Sequence, residues 1–174
     1  MGIFSWLFGE KKKKDNFPHE SVQIVIDFFK RKGGVNFTVY TFTELFSFVY
    51  FEVDYVLYCR RIQPYEKIMD EMGFIFKDAL GEVFKITKKE EHLSILNNRT
   101  QEYGKMVRDK KEKSDIVMRL DFYLNQADGL GRYPIDSDPL VIGNILDKVA
   151  RASALTGFYC NVLSPLIRKE FNIE

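Results

Sequence analysis

The sequence predicts an all-α protein: a single-domain, irregular bundle of about five to seven helices behind a short amphipathic amino-terminal segment. Three observations carry the prediction. Apolar residues recur at helical spacing over four long segments, two stretches fit the Thr-x-x-Glu capping box, and two helices start on a proline. With 174 residues the chain is long enough for a real core, and at 45% hydrophobic it is too apolar to be disordered.

Residues 1–14 stand apart from the helical domain, residues 15–174. Ile3, Phe4, Trp6, Leu7 and Phe8 are followed by four consecutive lysines, Lys11, Lys12, Lys13 and Lys14. At about 100° per residue, Ile3, Phe4, Leu7 and Phe8 share one arc, which Trp6 extends. A helix continued past Gly9 would place Lys11 and Lys14 among the apolar groups, so the wedge ends there and the lysines form their own block. An apolar wedge backed by a cationic cluster has the makeup of a membrane-surface anchor. Burying the five side chains contributes roughly 7–15 kcal/mol, and ordering about eight residues costs roughly 8–16 kcal/mol. The lysines, at about 1 kcal/mol each beside an anionic bilayer, tip that near-balance. A secretory signal has the opposite order of charge and apolar run, and Trp6 stands where myristoylation wants Ser or Thr. Docking of the wedge onto the protein's own core stays open beside membrane binding, with a protein partner as the third reading.

The helical domain is justified element by element. Asp15–Gly34 has Asn16 to cap, Pro18 in the first turn, and Val22, Val25, Ile26 and Phe29 on one face. Val35–Tyr40 reads as extended. Thr41 and Glu44 fit a capping box for a helix running to about Ile62, ahead of Pro64. Its main apolar face holds Phe42, Leu45, Phe46, Val49, Val53, Val56 and Leu57. A second, aromatic face holds Phe48, Phe51, Tyr55 and Tyr58. Charge interrupts this helix too often for it to span a bilayer, and it is expected to be central and buried on two sides. Residues 64–86 have a helical rather than an alternating period, with a break expected near Gly73. Thr87 and Glu90 form the second box. The spacing then runs from Leu93 to Leu124 in register, as one helix of about 40 residues or as two split near Ser114-Asp115, with Arg108–Lys113 as a solvated waist. Residues 127–139 are a loop, Asp138 and Pro139 open the last long helix, and Ser164-Pro165 kinks or ends it.

Chemistry is scarce. His19 and His92 stand at different helix starts, and no His/Cys ligand spacing occurs, so no metal and no cofactor are expected. Cys59 and Cys160 sit in apolar helical contexts, which predicts buried, reduced thiols suited to a cytoplasmic chain at the inner membrane face. Gly129-Leu-Gly-Arg132 reads as an inter-helix turn. Glu90-Glu91 resembles an acidic pair of the all-helical nucleotide pyrophosphohydrolases, but Leu93, Ser94 and Ile95 stand where the further carboxylates of such a metal site belong. Net charge is +1, and the basic cluster at 108–113 has interleaved acids and no stacking aromatics, which disfavours nucleic acid.

The expected function is therefore a non-enzymatic helical interaction or regulatory protein. Its partners are an anionic membrane, met through residues 3–14, and a protein, met through Phe48, Phe51, Tyr55, Tyr58, Arg132 and Tyr133. Two alternatives stand beside it: an enzyme with a site assembled around Glu52 and Asp54, and a nucleic-acid-binding regulator using basic helix faces. Paired to Arg60, Arg61 or Arg151, the two carboxylates are structural.

Overall fold

Thr38 opens the longest helix. Its backbone N–H donates to Thr41 Oγ1 (2.9 Å) and Thr41 N–H donates to Thr38 Oγ1 (3.2 Å), a reciprocal cap on α2, Val39–Arg60. The expected box at Thr41 and Glu44 is thus displaced by three residues: Thr41 is the inner partner, and Glu44 is freed for a role in the core. In the computed structural model, which describes residues 17–31, 36–128 and 150–173, α2 is preceded by α1 (Phe17–Arg31) and followed by α3 (Tyr65–Glu82), α4 (Glu90–Arg108) and α5 (Lys113–Ala127). Residues 150–158 form α6, which passes through a π turn at Tyr159–Leu163 into α7, Ser164–Glu170. No strand occurs among the described residues, so the all-α fold class holds.

The wheel of α2 explains its place. It packs against α1, α3, α4 and α5, and Phe42, Leu45, Phe46, Phe48, Val49, Val53 and Leu57 are wholly buried. Phe46 stacks on Phe76 at 4.9 Å between centroids and Phe42 on Phe76 at 6.0 Å, which binds α2 to α3. The carboxy-terminal helices close the other side through Phe28–Phe158 (5.3 Å), Phe48–Tyr159 (6.1 Å) and Phe17–Phe171 (5.1 Å). Two hydroxyls inside α2 are satisfied within the helix: Thr43 Oγ1 donates to the Val39 carbonyl and Ser47 Oγ to that of Thr43, both at 2.7 Å.

Several boundaries differ from expectation. Residues 36–38 are non-helical, as expected, but Val39 and Tyr40 already belong to α2. The helix α3 passes through Gly73 unbroken, since one glycine costs only about 1 kcal/mol in a helix buried on one side. The start of α4 is Lys89, with no side-chain cap, so Thr87 and Glu90 form no box. The long register from Leu93 to Leu124 is two helices, parted at Asp109–Glu112, where Lys110 takes φ 56° and Lys111 N–H reaches back to the Met106 carbonyl. Arg61 ends α2 in the same way, with φ 53° and an Ile62 N–H bond to Leu57. These are left-handed caps built without glycine. At Ser164-Pro165 the helix does not stop. The ring of Pro165 would meet the carbonyl four residues back, and the wider π turn, with Ser164 N–H on the Tyr159 carbonyl, makes room for it. Pro139, the 127–139 loop beyond Asp128, and residues 1–16 lie outside the described residues.

Candidate functional site

Two buried carboxylates on α2 organise the polar interior, and they face different neighbours. Glu44 takes a bidentate bond from Arg99 on α4: Nε to Oε2 at 2.7 Å and Nη2 to Oε1 at 2.9 Å. The Arg99 guanidinium lies 3.3 Å from the centroid of the Tyr123 ring, which stacks it from α5. Tyr123 in turn donates to Glu102, and Arg119 reaches Glu102 at 3.5 Å. Burial first, then the bond to Glu102, pushes the Tyr123 phenol up to about 12. Beside this network Tyr103 is fully buried, and its hydroxyl has no hydrogen-bond partner. Burial, reinforced by the charge of Glu44, holds that phenol well above 10. Tyr103→Phe removes a donor that is already unmet, so chemical denaturation is expected to show stability unchanged or raised by about 1 kcal/mol. A loss above about 2 kcal/mol would mean that the hydroxyl is satisfied in solution.

Glu52, about two helical turns further along α2, accepts from Lys113 Nζ at 2.5 Å. The side chain of Glu52 is 3% exposed and that of Lys113 32%. Three rings surround the ammonium: Tyr159 at 5.0 Å, Tyr55 at 5.7 Å and Phe51 at 5.8 Å. Burial raises the Glu52 carboxyl, and Lys113 opposes the rise. Lys113 therefore belongs to the interior rather than to a solvated waist.

Glu52 also lines a cleft of about 330 Å3 between α2 and the carboxy-terminal helices. Its other walls are Tyr55, Val56 and Cys59 of α2, Tyr159 of the π turn, and Ile167 and Ile173. Arg60 and Arg168 stand at it as well, from α2 and α7. The π turn places Tyr159 here, a common use of such turns. Burial, then the charge of Glu52, pushes the Tyr159 phenol up to about 12.

The expected site residues are only partly brought together. Phe48 and Phe51 are 0% and 2% exposed, so half of the aromatic face is core and cannot meet a partner in the folded state. Tyr55 and Tyr58 reach solvent at 36% and 76%. Asp54 and Glu52 do not share a site: two residues along a helix turn the side chain about 200°, and Asp54 accepts from Tyr65 instead. Neither takes an arginine, since Arg151 pairs with Asp121 at 3.2 Å. Cys59 and Cys160 are exposed, contrary to the expected burial, because each lies at the solvent edge of its helix. His92 is buried against Thr43, Nδ1 to Oγ1 at 3.0 Å. Thr43 spends its proton on Val39, so His92 Nδ1–H is the donor, and burial lowers the pKa of the imidazole. Ile3, Phe4, Trp6, Leu7, Phe8, Lys11–Lys14, Arg132 and Tyr133 lie outside the described residues.

Sequence reasoning missed Lys113, Arg99, Tyr123, Tyr159 and Arg168. Arg99, Lys113 and Tyr123 bond across 55, 61 and 21 positions and Tyr159 faces Phe48 from the other end of the domain, so no local spacing marks them; Glu44 and Glu52, charged in an otherwise apolar helix, were the available signal. Among the described residues no cluster of three or more His, Cys, Asp or Glu is placed to hold a metal ion, and no helix is long and apolar enough to cross a membrane. The chain matches no family model, and neither curated proteins nor solved structures give a significant match.

Proposed function

We propose that the protein is a non-enzymatic helical interaction protein, tethered to an anionic membrane surface by residues 3–14 and presenting the end of α2 to a protein partner. The observation that carries the reading is the order of the amino-terminal residues: five large apolar side chains, then four lysines. The first buried residue among those described is Phe17, three positions after Lys14, so the cationic block stands directly against the helical domain in sequence. The polar interior suits a scaffold. Glu44 and Glu52 are each paired with a cation from a neighbouring helix. On the surface, Tyr55 and Tyr58 sit three residues apart at the end of α2, aromatic anchors of the kind that protein interfaces favour.

Co-sedimentation with vesicles tests the tether. Vesicles containing phosphatidylserine are expected to retain the chain, and neutral phosphatidylcholine vesicles to retain much less. Retention should fall as salt is raised, since exposed charges are screened within about 10 Å at 0.1 M. Trp6→Ala, or glutamine at all four of Lys11–Lys14, should each lower it. Equal retention on neutral vesicles, or no effect of either change, overturns the tether.

A further inference from the structure

We infer that the cleft between α2 and α7 is a binding site for a phosphate monoester carrying a small apolar body. This goes beyond the membrane tether and does not depend on it. Arg60 and Arg168 reach the same cleft from two helices, and neither makes an ion pair with a carboxylate among the described residues. Each stands in the last turn of its helix, where it also complements the half-charge of the helix end. One full cation outweighs that half-charge, so the cleft mouth is positive.

Among the described residues, the one carboxylate in the wall does not cancel it. Glu52 is bound to Lys113, and that pair is neutral as a unit. The net cationic charge thus comes from two guanidinium groups, whose mutual repulsion a dianion would relieve. Guanidinium forks match phosphate oxygens. The lining also includes Tyr159, a half-buried phenol with no hydrogen-bond partner among the described residues, and the Ser164 hydroxyl. Tyr159 stays protonated, and therefore a donor, throughout the neutral range. Val56, Ile167, Ile173 and the Tyr55 ring supply apolar lining to the same cleft. A volume of about 330 Å3 is at the small end of ligand sites, enough for a phosphate and one ring or short chain.

The phosphate could be that of a soluble monoester or that of a lipid headgroup, and the experiment has an arm for each. Isothermal titration of the full chain with phenyl phosphate is expected to give saturable one-to-one binding. Phenol, which lacks the charge, should bind at least about tenfold more weakly, and Arg60→Gln and Arg168→Gln should each weaken phenyl phosphate by about tenfold, the worth of a charged hydrogen bond. Lys67→Gln, an exposed cation outside the cleft, should leave binding unchanged. Because Arg60 and Arg168 are exposed, both variants should melt as the native chain does. Absence of saturable binding, equal binding of phenol, or indifference to both arginine changes overturns the site. In the second arm, vesicles of equal charge carry phosphatidic acid or phosphatidylserine. Stronger retention by phosphatidic acid that is lost in Arg168→Gln assigns the phosphate to a lipid. Equal retention assigns it to a soluble monoester. Both results uphold the cleft as a phosphate site.

Discussion

Arg99→Ala is expected to lower the unfolding free energy by about 3–5 kcal/mol at neutral pH, the usual cost of leaving a buried charge unpaired. The Glu44 side chain is 7% exposed and both of its carboxylate oxygens are committed to Arg99. Removing the guanidinium strands that charge against α4 and also strips the cation from the Tyr123 ring. Arg99→Lys keeps the charge but loses the fork and the stacking, so its loss should be intermediate. Adding Glu44→Gln to Arg99→Ala should restore part of the stability, because it removes the stranded charge. Urea denaturation of the four chains checks the set. A loss below about 1 kcal/mol for Arg99→Ala, the scale of an exposed pair, would mean that water reaches Glu44 in solution.

Lys113→Met is expected to cost less, about 2–3 kcal/mol, because one-third of the Lys113 side chain is exposed and water already screens the pair. Its signature is the pH dependence. Burial holds the Glu52 carboxyl above its ordinary 4.5, with Lys113 pulling the other way. A carboxyl whose folded pKa is raised destabilises the fold only when ionised. The penalty is absent below the unfolded value and complete above the folded one. Loss of Lys113 raises the folded value further, so the deficit of the variant should be largest at neutral pH. It should shrink as pH falls towards 4.5 and below. Thermal melts of both chains from pH 4 to 8 read this directly, and a deficit that stayed constant across the range would contradict the pairing.

The helices were legible where burial imposes a period and illegible where chemistry acts at a distance. Ile75, Phe76, Ala79 and Leu80 mark the buried face of α3, and Leu96, Tyr103, Val117, Leu120 and Leu124 continue a single register across two helices. That continuity left one helix or two open and set the expected split near Ser114-Asp115, a few residues past the actual break at 109–112. The stop is made by Lys110 in a left-handed conformation, and lysine carries no signal for it, whereas glycine would. The end of α2 at Arg60 was legible to within two residues, because Pro64 marks it, although the left-handed cap at Arg61 was not. The capping box at α2 is made three residues earlier, by Thr38 and Thr41, whose hydroxyls exchange the bonds a Thr and a Glu would, and Glu44 pairs with Arg99 instead. Of the cleft, Tyr55 and Glu52 were visible as a misplaced aromatic and a misplaced charge. Arg168 and Tyr159 were not, since only the π turn demanded by Pro165 brings Tyr159 to face α2.

Trp6 is the only tryptophan in the chain, so its fluorescence reports on the tether alone. Emission is expected near that of water-exposed indole in buffer, moving to the blue and saturating as phosphatidylserine vesicles are added, with the shift reversed by salt. Emission already blue-shifted without lipid and unmoved by vesicles, together with a lower melting temperature on deletion of residues 1–14, would show that the segment packs on the protein's own core and would contradict a membrane-tethered interaction protein.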